Sequence, residues 1–516
     1  MEQQLPVFIV GAPLLFSVIV PILGRKWRLS AFVIAVGTVA VSAVASALSL
    51  ERVLRDGTFR YYLGGWEPPV GIEWVIDEVS AVVSLVVTSV SLLVVISTRR
   101  WAEREAGDRP GIFYGLVLLL LAGLTGIVIT GDLFNLFVFL EIASLAAYGL
   151  VFIGGRRAML AGFRYLIIGS IGGAFYLLGV GFIYFATGTL NMIEARQLLE
   201  EAESVRAVQV GAVFIFTGLG LKMALVPMHL WLPDAYEHAP SSVNSLIAPV
   251  MTKVAAYAML RMFLSVFPAG YLSGTVPIAD ALLILGLVGI VFGSVAAAGQ
   301  TDIRRMLAYS SISQLAFIAV GIGLGTPLAL AAALLHVVNH AAMKATLFLA
   351  TASVRFRVGL QRTHNLAGLG PRMPLTMGAF AVGSVAMVGI PPTAGFFSKW
   401  YMVQAGVAEG QWVVVAVVLL SSLLTAVYLF KVLEQVYLRP AKPEPSAHHN
   451  DEHDSPADSA VQPAEQEAMR PVVERAREAP LDVWLPIVLL GAATVVLGVL
   501  NVVIMEHVLL PGVEVS

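Results

Sequence analysis

Seven ionisable side chains of this sequence lie inside stretches that are otherwise apolar. Glu141 sits within GDLFNLFVFLEIASLAAYGL, Lys222 within FTGLGLKMALVP and Lys253 within SLIAPVMTKVAAYAMLR. His336, His340 and Lys344 share LLHVVNHAAMKATLFLA, and Lys399 ends GIPPTAGFFSKW. A charge at the centre of a membrane helix costs on the order of 2.5–3.5 kcal/mol on insertion scales, so such residues persist when they are paired or line a polar path. His336, His340 and Lys344 are spaced i, i+4, i+8 and share one helical face. At about 1.5 Å per residue their stripe runs roughly 12 Å, a large part of a ~30 Å hydrocarbon core. Imidazole titrates near neutrality, and desolvation disfavours the charged form of an amine, so a wet file of such groups can hand protons on. Two blander readings stay open: Lys399, near a helix end, could snorkel to the interface, and Glu141 and Lys222 could be a purely structural ion pair.

These groups need membrane helices to hold them, and composition supplies those. Hydrophobic residues make up 58% and charged residues 13% of the 516, too little polar surface to cover a water-soluble globule. A span needs about 20 apolar residues. Fourteen candidates follow, near 5–23, 29–50, 75–98, 111–130, 132–153, 162–187, 207–227, 241–263, 277–298, 304–323, 327–352, 375–400, 411–436 and 482–504. A tight turn at Gly131-Asp132 separates one adjacent pair.

Alternate loops differ in charge. One set holds Arg25, Lys26 and Arg28; Arg99, Arg100, Arg104 and Arg109; Arg156, Arg157 and Arg164; Arg304 and Arg305; and Arg355, Arg357, Arg362 and Arg372. The other set holds Arg52, Arg55, Arg60, Arg196, Arg206 and Arg261. By the positive-inside rule the first set is cytoplasmic and both termini lie outside. Pro227 follows Lys222, and Pro391-Pro392 precede Lys399 between Gly389 and Gly395, which predicts two broken helices. Such a pair points to inverted repeats with a site at the midplane. The break follows the lysine in one helix and precedes it in the other, an order read as a mark of inversion.

Other classes are excluded. A net charge of −2 without a basic patch gives no nucleic-acid surface. No cysteine is present, so disulfides, thiolate zinc sites and cysteine-ligated clusters are ruled out, and no residue set suggests a cofactor. No nucleotide-binding loop or catalytic triad is found, so the chain reads as part of a transporter rather than an enzyme. The N-terminus lacks a basic n-region and cleavage site and reads as a retained first helix. Residues 437–481 are rich in Pro, Ala, Glu, Asp and His and read as a disordered cytoplasmic loop. His448, His449 and His453 beside Asp451 and Asp454 have metal-binding types, with a solvated linker the favoured reading.

PMHLWLPDAYEHAPSSVNSLIAPVMTKVAAYAMLR, with DIRRMLAYSSISQLAF, HVVNHAAMKATLFLA and GIPPTAGFFSKW, resembles the antiporter-like proton-translocating subunits. These form the complex I membrane arm and the large subunits of Mrp-type Na+/H+ antiporters. The resemblance spans about residues 75–436, and GDLFNLFVFLEIASLAAYGL looks most like the D-type large subunits of the Mrp antiporters. It implies an all-α membrane protein of about fourteen helices with two inverted five-helix repeats. These are residues 111–263 and 277–436, after three N-terminal helices in 1–110 and before a last helix in 482–516. By position it implies Glu141 and Lys222 as a coupling ion pair and Lys253 as the next relay group. His336, His340 and Lys344 would form a central file, with Lys399 the terminal proton site. The implied partners are a large A-type antiporter chain, small subunits, protons, and Na+ or another monovalent cation, in the membrane of a prokaryotic cell. A membrane-arm subunit of complex I or a related hydrogenase is the alternative, with the same path driven by redox partners.

Overall fold

The computed structural model describes residues 2–107, 109–200, 205–268, 271–274, 277–359, 361–440, 473 and 476–514. The expected acidic, His-rich loop, with its three histidines, lies almost wholly outside the described residues.

The chain is a helical bundle. Its crossing helices are α1 (Ala12–Gly24, continuing a π-turn Val7–Gly11), α2 (Arg28–Asp56), α3 (Glu78–Ser97), α4 (Pro110–Ile129), α5 (Leu133–Phe152) and α6 (Arg156–Thr187). Next come α7, in two halves (Val205–Lys222 and Trp231–His238), α8 (Ser241–Ser265), α9 (Ile278–Ala298), α10 (Ile303–Leu324) and α11 (Pro327–Val358). The last are α12, also in two halves (Pro374–Val388 and Ala394–Ala408), α13 (Trp412–Leu438) and α14 (Leu481–Val499). Among the described residues twelve unbroken helices are long and apolar enough to cross a membrane. The two broken helices bring the crossings to the fourteen that the apolar runs predict.

The differences from the sequence reading are local. Helix α6 begins at Arg156 rather than 162, and α11 runs to Val358 rather than 352, because both continue past the apolar run into charged turns. The last helix stops at Val499, and residues 501–514 form short helical turns that pack against α3 and α11. A hairpin of β1 (Phe59–Tyr62) and β2 (Glu73–Ile76), paired Phe59 to Ile76 and Tyr62 to Glu73, precedes α3. Asp77 then caps that helix through the Ser80 amide.

Two inverted groups of five helices are visible in the turns. Asp132 caps α5 by accepting from the Asn135 N–H, while the turn before α5 bridges the turn after α6. There the Leu133 N–H donates to the Leu190 carbonyl at 2.8 Å, and Met192 N–H to Gly131 at 2.9 Å. The same device recurs in the second group. Asp302 caps α10 through the Arg304 and Arg305 amides, Ile303 N–H donates to Gln361 at 3.0 Å and Thr363 N–H to Thr301 at 2.9 Å. One bridge sits at the end that carries the arginine-rich loops and the other at the opposite end, as inversion requires.

Helices α8 and α11 form the axis between the groups. Every residue from Ser241 to Met262 and from Ala329 to Val354 is buried, so both helices are enclosed on all sides. Helix α11 packs against α3, α8, α10, both halves of α12 and α14. The N-terminus of α8 is capped by Glu105, whose carboxylate accepts from the Ser241 N–H at 2.7 Å and the Ser242 N–H at 3.1 Å. Ion pairs Arg164–Asp234 and Arg305–Glu237 tie the second half of α7 to α6 and α10 at this end. Replacing Asp302 by Ala removes the side-chain acceptor for two amide donors of α10. The expected loss is about 1 kcal/mol, seen as a lower midpoint of thermal unfolding in detergent, with Asp280→Ala on exposed α9 leaving it unchanged.

Candidate functional site

All seven charged residues singled out from the sequence lie inside the bundle, and six of them are buried. Lys222 is the last residue of the first half of α7, where the helix stops and Ala224 takes a left-handed φ of 62°. A non-glycine residue in that region is uncommon and strained. The stop leaves carbonyls free, and the Trp231 indole N–H takes up that of Leu221 at 3.0 Å. The Lys222 ammonium turns to α5, donating to Glu141 Oε1 at 3.0 Å and to the Ser144 hydroxyl at 2.7 Å. Lys222 is 5% exposed and Glu141 24%, so the carboxylate lies at the flank of the bundle and the ammonium inside it.

Space for the carboxylate comes from α6. A Cβ built at Gly173 would overlap Glu141 Oε1 and stand 2.9 Å from its carboxyl carbon. Glycine at this position therefore sets where the acid can sit.

Lys253 is on α8, where Pro249 removes one amide donor. Its ammonium donates to the Ala248 carbonyl at 2.6 Å and, among the described residues, meets no carboxylate. From α8 it lies within electrostatic reach of His336, His340 and Lys344 on α11. The two imidazoles stack at 5.6 Å, and Lys344 donates to the Leu307 carbonyl of α10 at 2.8 Å. The spacing argument for one stripe is thus met. His336 Nδ1 is 2.9 Å from the Ser398 hydroxyl on the second half of α12, which links the stripe to the residue before Lys399.

Lys399 is 5% exposed and does not snorkel. Its ammonium points back into the break of α12 and donates to the Met387 carbonyl at 3.0 Å, Val388 at 3.1 Å and the Ser422 hydroxyl at 3.2 Å. These are the last carbonyls of a half-helix that ends on Gly389 at φ 89°, so a cation sits at the negative end of a helix dipole. The opposite placement of the two lysines about their breaks is not itself a mark of inversion, because a rotation preserves chain order. The ammonium of Lys399 recovers the equivalence by reaching back to the end of the first half, where Lys222 already stands.

Among the described residues, four buried lysines therefore share one carboxylate. The other three rest on carbonyl oxygens and hydroxyls, contacts that either an ammonium or a neutral amine can make as donor. Alongside them run buried polar atoms without a protein partner among the described residues: His336 Nε2, both nitrogens of His340, Asn339 Oδ1 and both polar atoms of Gln314. Buried polar groups are nearly always satisfied, and polar interiors of this kind hold water. The arrangement can pass a proton between fixed groups through water.

Sequence reasoning missed Ser144, Ser398, Ser422, Gly173 and Gln314. Ser144 had a signal, three residues from Glu141 on the same helical face. Ser398 adjoins Lys399 and was legible as polar, but its partner lies on another helix. Substituting Gly173 by Ala should push the flexible end of Glu141 out of hydrogen-bond reach of Lys222 while the bundle stays folded. A cryo-EM structure of that variant reads the distance directly, and Gly181→Ala, where nothing lies within 4 Å of the new carbon, should leave it at 3.0 Å.

Residues 130–425 match the family model described as NADH:quinone oxidoreductase/Mrp antiporter, TM. The chain is 43% identical, over 99% of its length and 98% of the relative's, to an NADH-quinone oxidoreductase subunit N of Desulforudis audaxviator. It is 32% identical, over 74% of its length and 76% of the relative's, to the D subunit of a Na(+)/H(+) antiporter of Alkalihalophilus pseudofirmus. Among solved structures, the Mrp complex from Dietzia sp. contains a chain that superposes with a TM-score of 0.85 at 27% identity, covering 99% of this chain and 97% of that one.

Proposed function

Because the chain belongs to the NADH:quinone oxidoreductase/Mrp antiporter transmembrane family, we propose that it is the proton-conducting subunit of a multisubunit membrane complex. Protons pass along Glu141, Lys222, Lys253, the stripe of His336, His340 and Lys344, and Lys399. One observation carries this reading: four buried lysines share a single carboxylate among the described residues, and unpartnered imidazole, amide and carbonyl atoms run between them. A structural ion pair accounts for Glu141 and Lys222 and leaves Lys253, Lys344 and Lys399 unexplained.

The switch is the pair Glu141–Lys222. With the carboxylate at 3.0 Å the ammonium keeps its proton. When Glu141 swings away, Lys222 stands in an apolar interior without a counter-charge and gives its proton to the file. Glu141 suits this role because it lies at the flank of the bundle, against the gap at Gly173, and has room to move.

Two drives fit such a path. In a D-type antiporter chain, exchange with Na+ or another monovalent cation moves the protons, alongside a large A-type chain and small subunits. In a quinone oxidoreductase, redox partners move them. The 43% identity over 99% of the chain favours the second assembly over the D-type resemblance of the FNLFVF-E segment. The arginine-rich end is proposed to face the cytoplasm of a prokaryotic cell, with both termini outside.

In everted vesicles holding the complete complex, Glu141→Gln should abolish proton movement while the complex still assembles. Normal movement in that variant would remove the pair as the coupling element. Wild-type vesicles decide the drive: a Na+ gradient moves protons in an antiporter, and reductant plus quinone moves them in an oxidoreductase.

A further inference from the structure

At the end opposite the arginine-rich loops is an open cavity of about 450 Å³. Both five-helix groups wall it: Phe267 closes α8, Asp280 and Leu283 begin α9, Leu330 is in the first turn of α11, and Glu409 follows α12. Leu330 precedes His336 by six residues on one helix, about 9 Å along the axis. The space between is filled by a small apolar cluster separate from the main core, including Phe317, Val320, Ala329, Ala332 and Met402. Leu283 of the cavity wall packs on one side of this cluster. On the other side the Phe317 ring lies 4.7 Å from the His336 ring, whose Nε2 is buried without a partner among the described residues.

Met402 is one helical turn beyond Ser398, the hydroxyl bonded to His336. Its Cε occupies the place a side chain at Gly321 would take. An unbranched thioether with three rotatable bonds can leave such a place without disturbing the backbone. The cavity and the stripe are thus separated by one aromatic ring and one flexible side chain.

We propose that this vestibule is the mouth through which the central file exchanges protons with the solution opposite the arginine-rich loops, with Phe317 and Met402 as its gate. The proposal rests on the relay reading above. Asp280 and Glu409, both exposed on the wall, draw cations to the mouth. Arg196, also on the wall, is turned to the Leu264 carbonyl at 2.5 Å.

The chain has no cysteine, so one introduced thiol reports one place. Vesicles holding the complete complex with Leu283→Cys are treated with a bulky, membrane-impermeant maleimide on the face that labels Trp66→Cys, an exposed position at the same end of the bundle. Wild-type complex under the same treatment sets the background. Labelled Leu283→Cys should lose proton movement, while equally labelled Trp66→Cys keeps it. Failure of Leu283→Cys to label, or full labelling with movement unchanged, overturns the proposal. Met402→Ala should raise the passive proton leak of the resting complex, and an unchanged leak argues against the gate. If Glu141→Gln leaves movement intact, it is the relay that fails and not the mouth.

Discussion

An ammonium in an apolar interior must find oxygen, and the architecture follows from how four of them do so. Lys222 finds a carboxylate and a hydroxyl, Lys253 and Lys344 find helix carbonyls, and Lys399 finds the open end of a half-helix. Helix carbonyls are normally committed to their own ladder, so each solution needs a local departure from regular helix. Pro249 disturbs α8 next to Lys253, and the break at Gly389 exposes the carbonyls that hold Lys399. The broken helices are therefore part of the charge system. Burial along α8 and α11 then removes water from everything except the polar file.

A carbonyl contact differs from an ion pair in a way that matters for transport. Removing the proton from an ion-paired lysine strands a buried carboxylate, which is heavily penalised. Removing it from Lys253, Lys344 or Lys399 leaves a neutral amine that still donates to the same oxygen. The chain thus places its one strong pair at the flank and neutral acceptors along the path. Control sits at Glu141 and Lys222, and conduction runs through the rest.

Much of this was legible in the sequence. The apolar runs and the arginine alternation pointed to fourteen crossings, and the i, i+4, i+8 spacing put His336, His340 and Lys344 on one face, which the stacked rings bear out. Local rules reached that far because each concerns one helix. Contacts between helices were not legible. The apolar context of Lys399 fits a snorkelling side chain as well as a buried one, and only the return of its ammonium to Met387 and Val388 separates the two. Gly173 was one of 47 glycines, and its role appears only when α5 is laid against α6. The break in α7 fell at Lys222 rather than at Pro227, because the helix stops where Ala224 turns and not where the proline stands.

The central claim is that the gap between Lys253 and Lys399 is a hydrated file rather than dry packing. A cryo-EM map of the complete complex, at a resolution that shows ordered water, tests it most directly. The account predicts waters within hydrogen-bond distance of His336 Nε2, both nitrogens of His340, Asn339 Oδ1 and the Gln314 amide. Those waters should form a continuous chain from the Lys253 ammonium to the Ser398 hydroxyl. Apolar side chains packed directly on those atoms, with no water between them, would contradict it.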